Sequence, residues 1–442
     1  MNNSRRKFIN NTVKIITGAC MISSLSAGSV LAKSCISGAN DKVVVGLIGC
    51  KGMGFSNLQT FLNQPDVECA ALCDVDQSVL DQRTADVEKK TGKKPVQYRD
   101  YRKLIENKDI DVVIVGTPDH WHCLPMVEAC EAGKDVYCEK PLANSIEELD
   151  IMVKAARKYD RVVQVGQWQR SGPHWRDAMD FVFSGKLGNI RTVKTWAYQG
   201  WMKPVPILPD EPAPEGVDYD FWLGPAAKRP FNRNRFHFNF RWFWDYAGGL
   251  MTDWGVHIID FGLYGMKVDA PKSVMASGGK FAYPDDASET PDTLQAIYEF
   301  DGFTMMWEHA TGIDGGPYGR THGVGFIGNN GTLVVDRGGW EVIPEREGRK
   351  DKMERVPLQK GGGEDLDYHV KNFLECMNTR EKPNCDVAIA ANTARVAHMG
   401  NIAFKTGRKI YWDKSKSEFV NDSEANELTK ATYRSPWVLP KV

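Results

Sequence analysis

Between residues 43 and 165 the chain alternates between two textures. Runs of β-branched apolar residues lie at 43–48, 67–73, 111–116, 135–138 and 161–165. Helix-period stretches lie between them at 53–63, 77–90, 123–132 and 145–159. Strands joined through helices bury themselves as a parallel sheet covered on both faces, so this alternation predicts an α/β fold for the first part of the chain. Near residue 166 the alternation stops. "VKTWAY", "LQAIYEF", "TMMWEHA", "GVGFIG" and "TLVVDR" read as strands of a second, mostly antiparallel sheet. "DYHVKNFLECMN" and "AIAANTARVAHMGNIAF" read as helices near the end. A length of 442 residues suits two domains.

The first strand runs into glycines: "VVVGLIGCKGMGFSNL", residues 43–58. A phosphate cradle needs small residues where backbone approaches a pyrophosphate, a helix N-terminus behind them, and an acidic residue about 20 positions on to hold ribose hydroxyls. Gly49, Gly52 and Gly54 supply the small residues, a helical stretch starts near Met53, and "ECAALCDVD" brings a strand to its end at Asp74. Lys51 stands where the strict pattern has its middle glycine, so Gly52 is expected to take the close approach and Lys51 to reach a phosphate. Asp74 would repel a 2′-phosphate, which favours NAD over NADP.

The N-terminus reads as an address. Arg5, Arg6 and Lys7 precede a moderately apolar stretch, and "VLA" at 30–32 suits cleavage, so residues 1–32 are expected to be a signal peptide of twin-arginine type and the protein to be exported to the periplasm. Lipidation at Cys35 is the lesser alternative, because Lys33 and Ser34 make a poor lipobox. No membrane span is expected in the mature protein. Cys69, Cys73, Cys130 and Cys138 fall in apolar runs and read as small core residues. A net charge of −1 offers no long-range attraction to nucleic acid.

Two other strand ends carry unusual residues. "VVIVGTPDHWH" opens into a loop with Thr117, Pro118, His120, Trp121 and His122, and "VYCEKPLA" runs into Glu139, Lys140 and Pro141. Ligands of such sheets gather at the carboxyl ends of the strands. These stretches, together with "GLIGCKGMG" and "GGLMTDWGVHIID" at 248–260, resemble the glucose–fructose oxidoreductase / inositol dehydrogenase (Gfo/Idh/MocA) family over nearly all of the chain beyond the signal. The resemblance implies an N-terminal Rossmann domain binding NAD(P), here residues 33–165. It also implies a C-terminal α/β domain with an open, mostly antiparallel sheet, here 166–425, followed by a tail at 426–442. It implies that Lys140 lies beside the nicotinamide, that the loop from Thr117 to His122 touches the cofactor, and that Asp253 and His257 are the family's aspartate and histidine. It further implies a dimer or tetramer.

The residues support those roles. Asp253 and His257 are spaced i, i+4, so both should project from one helical face. Oxidising an alcohol needs a base for the hydroxyl proton, and His257 suits this without tuning. Lys140 and His257 are expected to share the proton chemistry while Asp253 orients the substrate. Gln167 is expected near the cofactor. Gln169, Arg170, His237, Arg241, Trp242 and Tyr246 are candidates to line a sugar, with guanidinium forks for hydroxyls and rings for C–H faces. No metal is expected, since nothing has structural zinc spacing.

Export adds one condition: NAD outside the cytoplasm must be held tightly and restored each cycle. The expected activity is oxidation or reduction of a secondary hydroxyl of a sugar or glycoside, at C3 by preference, with NAD retained. One alternative resembles a retained-NAD glycosidase branch of the family, acting by transient oxidation and elimination; that branch departs from "EKP", which this chain keeps. Another is a non-catalytic exported sugar-binding protein.

Overall fold

The computed structural model describes residues 42–442. The expected signal at 1–32 and Cys35 lie outside the described residues.

The first sheet is parallel, in the order β3-β2-β1-β4-β5-β6. Its strands are β1 Val43–Ile48, β2 Val67–Cys73, β3 Val96–Tyr98, β4 Val112–Val115, β5 Asp135–Cys138 and β6 Val163–Val165. β4, β5 and β6 are buried along their whole length, which is why their sequences run apolar instead of alternating. Helices Gly52–Phe61, Gln77–Thr91, Cys123–Glu131 and Ile146–Lys158 connect them. Capping fixes where several start. Asp76 accepts from the backbone N–H groups of Ser78 and Val79, and Ser145 from that of Glu148. The three-residue strand β3 was not anticipated; it is too short to show a period.

The second sheet has ten strands in the order β16-β13-β12-β11-β7-β10-β9-β8-β17-β18. Its central strands are β7 Ile190–Gln199, β8 Ser273–Gly279, β9 Thr293–Glu299, β10 Thr304–Thr311, β11 His322–Gly328, β12 Gly331–Asp336 and β13 Gly339–Pro344. β14 Arg346–Glu347 and β15 Lys350–Asp351 form a separate ribbon, and β16 Val356–Lys360, β17 Ile410–Asp413 and β18 Glu418–Phe419 lie towards the edges. Its pairings are antiparallel except β7 with β10. β9 alternates buried and exposed residues, as a sheet with one covered face requires.

The C-terminal third returns to the first sheet. From helix Asp365–Thr379, His369 directs Nε2 at the carbonyl of Val165, 2.9 Å away, and accepts the nearby Gln164 amide on its own carbonyl at 2.7 Å. The last residues fold back as well: the Tyr433 hydroxyl donates to Glu148 at 2.7 Å and Trp437 packs edge-on against Trp121. The eight cysteines at 50 and beyond are buried and unbridged. Among the described residues no helix is long and apolar enough to cross a membrane.

Candidate active site

The order of the first sheet reverses between β1 and β4, and a cleft of about 620 Å³ opens there. Its floor is built from glycine contacts. A Cβ on Gly54 would sit 2.1 Å from the carbonyl oxygen of Gly49, and one on Gly116 would sit 2.4 Å from Cα of Gly54. Three backbones thus touch where side chains would separate them. Gly52 differs: its φ is +52° and an added Cβ would meet nothing within 4 Å. Of the three glycines in this turn, it is the one that faces open space. Helix Gly52–Phe61 starts there, with no side-chain cap from Lys51, so its first N–H groups are free.

Asp74 ends β2 and is tied to the same turn. Its carboxylate accepts the Cys50 N–H at 2.8 Å and the Asp76 N–H at 3.0 Å, while burial pushes its pKa up. The buried hydroxyl of Thr117, on the far wall, has no protein partner. An open glycine, a free helix N-terminus, a strand-end carboxylate and an orphaned hydroxyl around one cleft fit a dinucleotide.

At the other end of the cleft, Glu139 is buried and anchored: Asn57 donates to one of its oxygens at 2.7 Å and the N–H of Lys140 to the other at 3.1 Å. The Lys140–Pro141 bond is cis. The ammonium of Lys140 points across to Asp253, 2.6 Å from Oδ1 and 3.1 Å from its carbonyl oxygen. That carbonyl is free because the helix is nicked. Helices Gly249–Asp253 and Gly255–Met266 meet at Trp254, and the N–H of His257 donates to Trp254 instead of Asp253. The expected i, i+4 pair therefore straddles two helical segments. The interruption releases a backbone acceptor for Lys140.

Arg241 adds a second cation, its Nε donating to Asp253 Oδ1 at 3.3 Å. Burial opposes ionisation of Asp253, but Lys140 and Arg241 hold its pKa down at about 2. Asp119, on the wall of the same cleft, goes the other way: burial pushes it up to about 7 despite Arg241 and Lys140. His257 is buried, its ring beside those of Trp168 and Trp254, and its Nδ1 has no partner. Burial and then Lys140 and Arg337 drive its pKa well below the usual histidine value, so the ring is neutral.

Among the residues singled out from sequence, the cleft is lined by Gly49, Lys51, Gly52, Met53, Asp74, Thr117, Pro118, Trp121, Glu139, Lys140, His237 and Arg241. His237 bonds Asp76 at 3.0 Å, near Lys51, so it belongs to the glycine end and not to the Lys140 end. Others are turned elsewhere. His120 faces the Trp222 carbonyl at 3.1 Å and packs on Tyr246, itself fully buried. His122 bridges the carbonyls of Thr117 and Pro141, at 2.9 and 2.7 Å, and so ties the two cleft loops together. Gln167 donates to the Val256 carbonyl, and Gln169 directs its amide at that of His257. Arg170 is locked on Asp260 by two hydrogen bonds at 2.6 and 3.0 Å. Trp242 lines a separate hollow with Trp201 and Tyr283.

Sequence reasoning missed Asp119, Asn57, Arg83, Arg99, His322 and Arg337. Arg83 and Arg99 also line the cleft; Arg99 donates to the Val75 carbonyl at 2.9 Å, next to Asp74, while Arg83 lies over the Phe55 ring. Asp119 stood inside the quoted "TPDHWH" run and could have been found there. Nothing local marked the others.

Residues 43–167 match the family model described as "Oxidoreductase family, NAD-binding Rossmann fold", and residues 171–323 and 342–439 match that of its C-terminal alpha/beta domain. The chain belongs to the Gfo/Idh/MocA oxidoreductase family. It is 34% identical over 154 residues to a "Glycosyl hydrolase family 109 protein" of Shewanella sp. (strain W3-18-1), covering 34% of each chain, so it spans about a third of that relative's length. It is 24% identical over 379 residues to "Uncharacterized oxidoreductase YrbE" of Bacillus subtilis (strain 168), covering 84% of this chain and 96% of the relative. Its fold is similar to that of levoglucosan dehydrogenase in complex with NADH and levoglucosan, with a TM-score of 0.64, 19% identity, and coverage of 84% of this chain and 99% of the other.

Proposed function

We propose that the chain oxidises or reduces a secondary hydroxyl of a sugar or glycoside, at C3 by preference, using tightly retained NAD. The observation that carries this reading is the Lys140–Asp253 pair, set 2.6 Å apart near a neutral histidine, with Lys140 lining the cleft that holds the glycine turn. Gly52, the free N–H groups behind it, Thr117 and Asp74 would hold the cofactor. NAD, when bound, supplies the hydride acceptor. Lys140, fixed by two oxygens of Asp253, offers its remaining ammonium hydrogen to the reacting hydroxyl. His257 would take the hydroxyl proton: burial, then Lys140 and Arg337, keep its ring unprotonated and so available at neutral pH, though they make it a weaker base than the untuned histidine the sequence suggested. Arg241 keeps Asp253 ionised and so keeps Lys140 in place.

A second reading is favoured by one comparison: the glycosyl hydrolase relative matches over the cofactor half of the chain. In that reading the same hydroxyl is oxidised only transiently, the acidified neighbouring C–H loses its proton, and the leaving group departs by elimination. One experiment separates them. Protein purified without added cofactor is denatured and released nucleotides are identified by mass spectrometry. The remainder is mixed with monosaccharides and glycosides while nicotinamide absorbance and sugar release are followed. Absorbance change with one sugar supports the oxidoreductase. Cleavage without net absorbance change supports the hydrolase. Absence of any dinucleotide, even after soaking, overturns both.

We further propose twin-arginine export to the periplasm and a homo-oligomer. Replacing Arg5 and Arg6 by lysine should leave the protein in the cytoplasm, and light scattering reads the assembly.

A further inference from the structure

Arg337 lies in the turn between β12 and β13, within residues 324–341, which stand outside the family-model match. Its guanidinium is clamped between two indoles, 4.4 Å from the Trp168 centroid and 4.5 Å from that of Trp254. Nε and Nη2 both donate to Oε1 of Gln169, at 3.2 and 3.1 Å. The same two tryptophans flank the His257 ring, at 5.8 and 6.2 Å. Arg337 is thus held rigidly on the His257 side of the Lys140–Asp253 pair.

What it lacks is a counterion. The buried guanidiniums of Arg170, Arg320 and Arg395 each meet a carboxylate. Among the described residues no carboxylate comes within 4.0 Å of Arg337; Asp253 and Asp365 act on it only from farther away. A half-buried cation left unpaired costs free energy that a bound anion would recover. The surrounding charges agree. Lys140 and Arg241 both bond Asp253, the carboxylate held ionised here, while burial raises the nearby Asp119, Glu139 and Asp365 and leaves His257 and His322 neutral. The His322 ring packs tilted against Trp254, with 4.8 Å between centroids, and its Nε2 is buried without a partner. Trp168, Trp254, His322 and Arg337 are all partly exposed.

We propose that the sugar accepted here carries a carboxylate, as a uronic acid or its glycoside does, and that the free edge of the Arg337 guanidinium pairs with it. This rests on the sugar-oxidoreductase reading above and names its substrate class. A planar guanidinium stacked on both faces still presents its edge, which is the geometry a carboxylate needs.

The test reads binding, not turnover. Full-chain protein loaded with NADH is titrated calorimetrically with D-glucuronate and D-galacturonate, and with D-glucose and D-galactose, at matched ionic strength. The acids should bind about tenfold or more tightly than the matching hexoses. Arg337→Gln should bring that ratio close to one, and Arg337→Lys should keep part of it. Equal binding of acids and hexoses by the unaltered protein, no binding of the acids, or an equal weakening of both by Arg337→Gln would each overturn the proposal. The unaltered protein alone decides the matter if the variants do not fold. A protein that binds the acids but never oxidises them would sink the oxidoreductase reading and leave the carboxylate site standing.

Discussion

The ammonium of Lys140 is bound twice by Asp253, by the carboxylate at 2.6 Å and by the backbone carbonyl at 3.1 Å. The second contact exists only because the helix breaks at Trp254 and leaves that carbonyl unclaimed. Side chain and backbone of one residue therefore set the direction of the group proposed to meet substrate.

Removing that group should cost rate before it costs cofactor. Lys140→Ala is expected to lower turnover about 100-fold or more, the usual range for a positioned proton-transfer group. NAD affinity, which the proposed reading places largely on the glycine turn, should change far less. Asp253→Asn should lower turnover too, because it takes the charge from one of the two holds on Lys140. A loss below tenfold in Lys140→Ala, measured by steady-state kinetics on the best sugar found, would remove the lysine from the mechanism.

The glycines of the turn should separate by function. Gly54→Ala places a Cβ 2.1 Å from the Gly49 carbonyl, with backbone on both sides, so the strand–helix junction must open. Its melting temperature should fall by several degrees, as an overpacking cost of about 1–3 kcal/mol implies. Gly52→Ala meets no protein atom, and its cost to folding is only the strain of a φ of +52°, about 1 kcal/mol. Its effect should appear instead as weaker NAD binding in calorimetry, because the methyl group occupies the open side of the turn. Equal NAD affinity in Gly52→Ala and the unaltered protein would place the pyrophosphate elsewhere.

Asp74 should govern the choice between NAD and NADP. Asp74 lines the cleft together with Arg83 and Arg99, and Arg99 bonds the Val75 carbonyl beside it. Asp74→Ser removes the repulsion and leaves two guanidiniums to meet a 2′-phosphate. The NADP-to-NAD affinity ratio should rise about tenfold or more. The same replacement removes the acceptor for the Cys50 N–H, so some loss of NAD affinity and stability should accompany it. An unchanged ratio in paired titrations would show that Asp74 serves only the turn.

How much of this was legible follows from how local each signal is. The strands β1, β2, β4, β5 and β6 and the turn from Gly49 to Asp74 could be read because periodicity and spacing carry them within about 30 residues. Lys140 and Asp253 are 113 positions apart, and only the family resemblance brought them together. Residue type alone says nothing of direction. Arg170 suited a sugar but has Asp260 for a partner, and Tyr246 suited stacking but is core beneath Trp222. Arg337 was invisible for the converse reason: it is one arginine in a two-residue turn, and its meaning comes from Trp168, Gln169 and Trp254, which reach it from other elements.

Asp119 should leave a signature in stability against pH. In the folded protein its carboxyl keeps its proton up to about pH 7, because burial outweighs the pull of Arg241 and Lys140. In the unfolded chain it loses the proton near pH 4. Between those values the folded form binds the extra proton. The contribution of Asp119 is therefore intact below about pH 4 and is lost as pH rises through about 7. The span corresponds to a penalty on the order of 4 kcal/mol above pH 7. Asp119→Asn keeps the shape and removes the titration, so the cofactor-free variant should melt higher than the unaltered protein near pH 8. That advantage should shrink towards zero near pH 4. A difference that is the same at both ends of the range would mean that Asp119 ionises as an ordinary carboxylate.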